Sequence, residues 1–427
     1  MKFKIRNIIV IIFLLIFGVR ISSQYVSDTY VFEIGDFKYV DDYPCVNYDA
    51  NKLIVPGSDS LLVELYNRID QVAAMGQGQI SILHIGGSHV QAGIFSHRLR
   101  ENFRALIGDY TSSKGIIFPF RAMGTNAPTN YKMSITGNWT KARCIERNPT
   151  IPLGLSGAAI KTSDTEASVV FDLKSNDSIP WEFDRLIVLG GDKNGEVYPK
   201  LVCEEDTLVP YSFEDGAYRF QLPSEQSKGK VIFSGANNAS PLVFRGLIPE
   251  NSFSGLVYHE AGINGASVPA WLRCNLFEKE LSYITPDIVI FGIGINDANI
   301  SPLKFDKEEF KSNYRRLIER IRRVNDKSVF IFITNNDCKL NMKSVRTDYN
   351  PNTIKVEQAF IELASEYSGA VWNLFRIMGG PGSSKDWVAY DLMQNDRIHF
   401  KREGYELLGD LLYNAFVLDY RNLNINE

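Results

Sequence analysis

Four short segments of the chain carry the residue types that acyl transfer needs. Ser88 follows Gly86-Gly87 where an apolar run, Ile80 to Ile85, gives way to a helical pattern carrying Ile94, Phe95, Leu99, Phe103 and Leu106. A serine in such a turn can point its hydroxyl outward, and the helix that follows offers unpaired N–H groups and positive potential to a developing oxyanion. Serine is a weak nucleophile unless a base lies within hydrogen-bond reach and a carboxylate orients that base. Asp396-Arg397-Ile398-His399 supplies both. The Asp396 carboxylate can fold back across two residues onto His399 Nδ1, leaving Nε2 free to take the Ser88 proton. A tetrahedral oxyanion also needs donors, each typically worth ~3–4 kcal/mol of barrier. The Ser88 N–H, the Gly265 backbone N–H in Gly262-Ile263-Asn264-Gly265 and the Asn296 side-chain amide in Gly294-Ile295-Asn296-Asp297 are the candidates.

Each motif also has an ordinary reading. A Gly-Gly-Ser turn is usually only a turn. Asp-x-x-His before a helix is often a cap, with the aspartate accepting backbone N–H bonds. Asn296-Asp297 suits loop chemistry, and Gly265 suits a positive φ. What separates the chemical reading from these is the occurrence of all four segments in one order along one chain.

The elements that must position these residues follow from hydrophobic periodicity. Leu62, Leu65, Tyr66, Ile69, Val72 and Ala73 recur at helical spacing between Ser58 and Gly76. Strands are expected at Ile80–Ile85, Leu256–Tyr258, Ile288–Ile293, Val329–Ile333 and Val371–Leu374, with helices between them, from about Asn352 to Tyr367, and after His399. Near-continuous apolar strands separated by amphipathic helices indicate a parallel sheet covered on both faces, an α/β architecture whose sites lie at the carboxyl ends of its strands. Between residues 110 and 254 the texture changes to short β-type runs, among them Ser168–Leu173, Leu186–Leu189, Tyr218–Leu222, Lys230–Phe233 and Leu242–Phe244. Their spacing predicts an all-β sandwich inserted between an N-terminal part (24–109) and a C-terminal part (255–427) of the α/β domain.

Lys2, Lys4 and Arg6 precede an apolar run from Ile8 to Val19, followed by Ser22 and Ser23, the layout of a signal peptide over residues 1–23. The run is shorter than the ~20 residues that span a bilayer, so export to the periplasm, envelope or medium is expected, with cleavage near Ser23–Gln24. Arg20 and the Ile21-Ser22-Ser23 ending leave an uncleaved N-terminal membrane anchor as the alternative, with no other membrane partner expected. Hydrophobic residues at 44% and charged residues at 22% match a folded chain, not a disordered one. With 46 basic against 50 acidic residues and no dense basic block after the N-terminus, nucleic acid is excluded as a partner. The five cysteines, Cys45, Cys144, Cys203, Cys274 and Cys338, form no C-x-x-C pair, and an odd count leaves at least one thiol unpaired in a monomer. His84, His89 and His97 are separated by a strand, a turn and a helix with no acidic or cysteine partner at ligand spacing, so neither a metal nor another cofactor is expected. His89 is the one expected to line the site. Trp139, Trp181 and Tyr218 suit either the core or stacking on sugar rings.

His84-Ile85-Gly86-Gly87-Ser88-His89-Val90-Gln91, Gly262-Ile263-Asn264-Gly265-Ala266, Gly294-Ile295-Asn296-Asp297 and Asp396-Arg397-Ile398-His399 resemble, in order, the four blocks of the SGNH (GDSL-type) hydrolases. The His-Ile-Gly-x-Ser-His-x-Gln form, the long insert, Gly379-Gly380-Pro381-Gly382 and Trp387 are similar to the peptidoglycan O-acetylesterase branch. The resemblance implies a flavodoxin-like parallel five-stranded sheet, a carbohydrate-binding-like β insert, and metal-independent ester hydrolysis that removes O-acetyl groups from cell-wall sugar. Peptidoglycan is the first substrate it suggests, and an O-acetylated plant or host glycan the second. Two other uses of the same segments stand beside it: transfer of the acyl group to a glycan hydroxyl, and glycan binding without catalysis. One position departs from the family pattern: Gly87 stands where the family has an aspartate before its nucleophile.

Overall fold

A computed structural model describes residues 37–107, 113–174, 179, 181–192, 197–204, 206–341 and 346–424. The segment read as a signal peptide lies outside the described residues. Among those described, no helix is long and apolar enough to cross a membrane.

The apolar runs form a sheet. Its parallel strands lie in the order Gly255–Gly262, Gln79–Gly86, Ile288–Gly292, Val329–Ile333, Ala370–Trp372. By sequence rank this is 2-1-3-4-5, the doubly wound order in which the strand direction of travel reverses at the first strand. Val329–Ile333 is buried at every position, as a strand covered on both faces must be. The sheet has six strands, one more than expected. Leu53–Ile54 pairs antiparallel with Ala370–Trp372 at the edge, and a two-residue strand in a polar stretch leaves no periodic signal.

Helices cover the sheet. Ser60–Met75 ends at Gly76, which adopts the left-handed conformation (φ 60°). Asn352–Tyr367 and the C-terminal Arg402–Asn424 stand where periodicity puts them. The helical pattern after Ser88 is divided, into Ser88–Gln91 and Phe95–Leu106, with Gly93 at φ 69° between them.

The strands between Lys132 and Glu250 build two antiparallel sheets of six and five strands. Phe171 of one sheet meets Phe183 of the other at 5.5 Å between ring centroids. Trp181 and Tyr218 are fully buried, so they serve packing and are not sugar platforms, while Trp139 packs on Phe233 and donates to the Thr136 carbonyl at 2.8 Å. All five cysteines are free thiols.

One buried ion pair ties these sheets to the α/β part, and a second, within the α/β part, is met from the segment that precedes them. Arg245, on strand Leu242–Glu250, pairs with Glu280 on helix Phe277–Leu281, and Glu280 also accepts from the Leu155 N–H at 2.8 Å. Gly154 is needed beside it, since a Cβ there would come within 1.7 Å of the Glu280 carboxylate. Arg100, on helix Phe95–Leu106, pairs with Glu260 at 2.9 Å, and Asn130 donates to the same carboxylate at 3.1 Å.

Candidate active site

Ser88 opens a short helix immediately beyond the carboxyl end of strand Gln79–Gly86, the strand at which the sheet order reverses. As the first residue of that helix its N–H has no intrahelical acceptor. The turn is tight because Gly262 on the neighbouring strand lets the helix descend onto it: a Cβ there would lie 2.3 Å from the Gln91 backbone nitrogen. At Gly87 an added Cβ would stand 3.3 Å from Asn296 Nδ2, so the glycine lets the Asn296 amide approach the serine turn closely.

Ser88 Oγ lies 2.9 Å from His399 Nε2, and His399 Nδ1 lies 2.7 Å from Asp396 Oδ2. The other Asp396 oxygen accepts from the Ile398 and His399 backbone N–H groups at 2.9 and 3.0 Å. Asp396 thus caps the backbone with one carboxylate oxygen and meets the His399 ring with the other. Burial opposes the Asp396 charge, but hydrogen bonds from the His399 ring and from those two amides outweigh it and hold its pKa below the usual carboxylate value. The loop is closed by the Gln394 N–H donating to the His399 carbonyl at 2.8 Å and by Arg397 in the left-handed region at φ 58°, its side chain anchored on Ser384 Oγ at 3.0 Å. Asn336 Nδ2, beyond strand Val329–Ile333, donates to the Ile398 carbonyl at 3.2 Å and ties this loop to the sheet.

Gly265 and Asn296 follow the two strands that flank Gln79–Gly86, and both line the same cleft as Ser88 and His399. Gly265 has φ 79°, a conformation that favours glycine. Asn296 Nδ2 donates to the Ala266 carbonyl at 2.9 Å, which leaves its second amide hydrogen for the cleft. Asp297 accepts from the Val268 N–H with both oxygens, at 3.1 and 3.2 Å, so consecutive residues pin the Gly265 loop. Burial raises the Asp297 pKa to about 7 against the opposing Val268 hydrogen bond. The cleft encloses about 640 Å³, and amide side chains from Asn126, Asn264, Asn296, Asn299 and Gln394 line it.

Of the residues singled out for acyl chemistry, Ser88, Gly265, Asn296 and His399 line this one cleft, and Asp396 stands behind His399, on its Nδ1. His89 instead packs behind it. Its Nδ1 is 2.8 Å from the Tyr405 hydroxyl and its ring centroid 5.6 Å from that of His399, while burial and the neighbouring His399 lower its pKa to about 3. His84 is fully buried against Tyr258, and His97 lies 3.9 Å from Glu101. Among the described residues no group of three or more His, Cys, Asp or Glu side chains is placed to hold a metal ion.

One contributor escaped sequence reading. Gln91, buried in the serine helix, accepts from the Asn264 N–H at 2.7 Å and donates to the Asn126 carbonyl at 2.7 Å and Thr125 Oγ1 at 3.1 Å. It joins the serine helix, the Gly265 loop and the 110–254 segment. The only local signal was its place in the His-x-x-x-Ser-His-x-Gln string, since its partners lie far away in sequence.

Residues 230–407 match the GDSL-like Lipase/Acylhydrolase family. That family comprises acylhydrolases, enzymes that act on esters, and the matched stretch carries Gly265, Asn296, Asp396 and His399. Among solved structures, a peptidoglycan O-acetylesterase is similar over 87% of this chain and 99% of its own, at 20% identity and a TM-score of 0.71. An acetyl xylan esterase is similar over 38% of this chain and 80% of its own (19% identity, TM-score 0.28). The lipase/acylhydrolase from Enterococcus faecalis is similar over 39% and 78% (23% identity, TM-score 0.30). No curated protein matches the chain.

Proposed function

We propose that this protein is an exported serine esterase that removes O-acetyl groups from a polysaccharide, peptidoglycan foremost, with Ser88 as nucleophile, His399 as general base and Asp396 as its orienting carboxylate. The observation that carries the reading is the unbroken relay from Ser88 Oγ to His399 Nε2, 2.9 Å, and from His399 Nδ1 to Asp396 Oδ2, 2.7 Å, at the floor of an open cleft.

In this reading Ser88 Oγ attacks the acetyl carbonyl while His399 Nε2 takes its proton, and Asp396 stabilises the resulting imidazolium. The Ser88 and Gly265 N–H groups and the Asn296 amide receive the oxyanion. His399 then protonates the departing sugar oxygen, leaving an acetyl-Ser88 ester. Water, deprotonated by His399, attacks that ester and releases acetate. The amide-lined cleft suits sugar hydroxyls, which both donate and accept hydrogen bonds. Export, expected from residues 1–23, would bring the enzyme to an envelope substrate. Gly87 does not break the relay, since the hydroxyl, imidazole and carboxylate connect without it.

A fluorophosphonate should label the wild-type protein once, on the peptide containing Ser88, and leave Ser88→Ala unlabelled. Equal labelling of both proteins would rule Ser88 out as the nucleophile.

A further inference from the structure

The cleft that holds Ser88 and His399 carries three cationic side chains, Lys339, Lys401 and Arg402, and no Asp or Glu among its lining residues. The sequence as a whole has a net charge of -4, so this concentration of positive charge runs against the rest of the molecule. Two of the three charges are already met: Lys401 pairs with Asp391, and Arg402 lies 3.4 Å from Glu406. Lys339 has no ion-pair or hydrogen-bond partner among the described residues. It is half-buried, and it leads into the two-residue strand Leu340–Asn341, which pairs with Arg346–Thr347.

Neither acidic group near Lys339 in the chain pairs with it. Asp337 accepts from the Ser384 N–H at 2.9 Å, and Asp348 faces Arg397 at 3.6 Å. Burial pushes the adjacent Cys338 thiol up to about 12, so it is neutral and offers no counter-charge. The ammonium of a half-buried lysine at a cleft wall attracts an anion more strongly than one in open water, and a cleft lined by one sign of charge raises the local concentration of a substrate of opposite charge. A neutral acetylated glycan could accept hydrogen bonds from that ammonium but would not neutralise its charge.

We propose that Lys339 forms a carboxylate-recognising subsite, so that the preferred substrate is an O-acetylated glycan bearing an acidic group near the acetylated hydroxyl. The inference rests on the esterase reading above and narrows its substrate class. The acid group has two chemical sources, the peptide stems of peptidoglycan and the uronate units of an acidic polysaccharide. Acetylated xylan backbone has neither.

The test compares kcat/KM for acetate release from O-acetylated peptidoglycan, acetylated polygalacturonate and acetylated xylan, using wild type, Lys339→Met and Lys339→Arg. Wild type should prefer an acidic substrate over xylan, and Lys339→Met should shrink that preference about two- to fivefold, the scale of a partly exposed ion pair, mainly through KM. Lys339→Arg should keep most of it, and high salt should erode it. Preference for peptidoglycan alone would name the peptide stem as the source, and preference for polygalacturonate the uronate. An unchanged preference in folded Lys339→Met, or a wild type with no preference for acid, would overturn the subsite. If the wild type released acetate from none of these, the esterase reading would fail by itself. Calorimetric binding of oligogalacturonate would then decide the subsite separately, weaker binding to Lys339→Met supporting it and equal binding overturning it.

Discussion

The parallel sheet and the two antiparallel sheets divide the work of this molecule unequally. In the parallel sheet, loops beyond the strand ends present the residues to which we assign the chemistry: Ser88 after Gln79–Gly86, Gly265 after Gly255–Gly262 and Asn296 after Ile288–Gly292. The antiparallel region reaches the cleft through Asn126 and otherwise contributes buried bracing, above all Arg245 on Glu280 and Asn130 on Glu260. A sheet covered on both faces can be buried throughout and still end in exposed loops, whereas antiparallel sheets commonly spend one face of each strand on a core and leave the other to solvent. Variants in the two regions should therefore fail differently.

The largest effect is expected in the relay. Asp396→Asn should lower kcat by about a thousandfold or more, because the His399 tautomer that can accept the serine proton is no longer selected. Melting temperature should stay within a few degrees of wild type, since Asn retains an oxygen for the Ile398 and His399 amides. Near-normal turnover by this variant would mean that His399 is held by something else.

A smaller effect of another kind is expected at the junction. Glu280→Ala strands Arg245 in a buried position and should cost about 3–5 kcal/mol of stability, seen as a lower denaturant midpoint. Turnover per folded molecule should be preserved below the transition. Loss of turnover in fully folded Glu280→Ala would show that the antiparallel region does more than brace.

The smallest effect depends on pH. Folded Asp297 holds its proton up to about 7, whereas the unfolded carboxyl releases it near the ordinary value of about 4. Folding therefore takes up a proton between those values. Asp297 contributes its full stability below the unfolded pKa and loses it as pH rises towards 7, where a buried charge must be carried. Asp297→Asn, which cannot ionise, should gain melting temperature relative to wild type as pH is raised from 4 to about 7 and hold that gain above it. A difference that stays flat with pH would contradict the placement of Asp297 as a buried, titrating brace.

How much of this was readable beforehand follows the same division. Ile80 to Ile85, Ile288 to Ile293 and Val329–Ile333 announce themselves because strands buried on both faces are apolar at nearly every position. Ser88, Gly265 and Asn296 stand out in the sequence because they sit in glycine-bearing turns directly after such runs, whereas Asp396 and His399 stand out only by their spacing from each other. In the antiparallel sheets, Lys132–Thr136 alternates between exposed and half-buried residues, and Lys200–Cys203 and Asp206–Leu208 are short and carry charges, so they read as loop. Leu53–Ile54 was invisible for its length. Gln91 and Lys339 escaped for a different reason: what matters about each is its neighbours, or the lack of them, across long separations in sequence.

The central claim is tested most directly by acetate release from O-acetylated peptidoglycan by residues 24–427, with Ser88→Ala measured beside it. The account predicts release by the wild type that exceeds release from acetylated xylan and falls by at least a thousandfold in the variant. Folded wild-type protein that releases no acetate, or a Ser88→Ala variant that releases it equally well, would contradict the account.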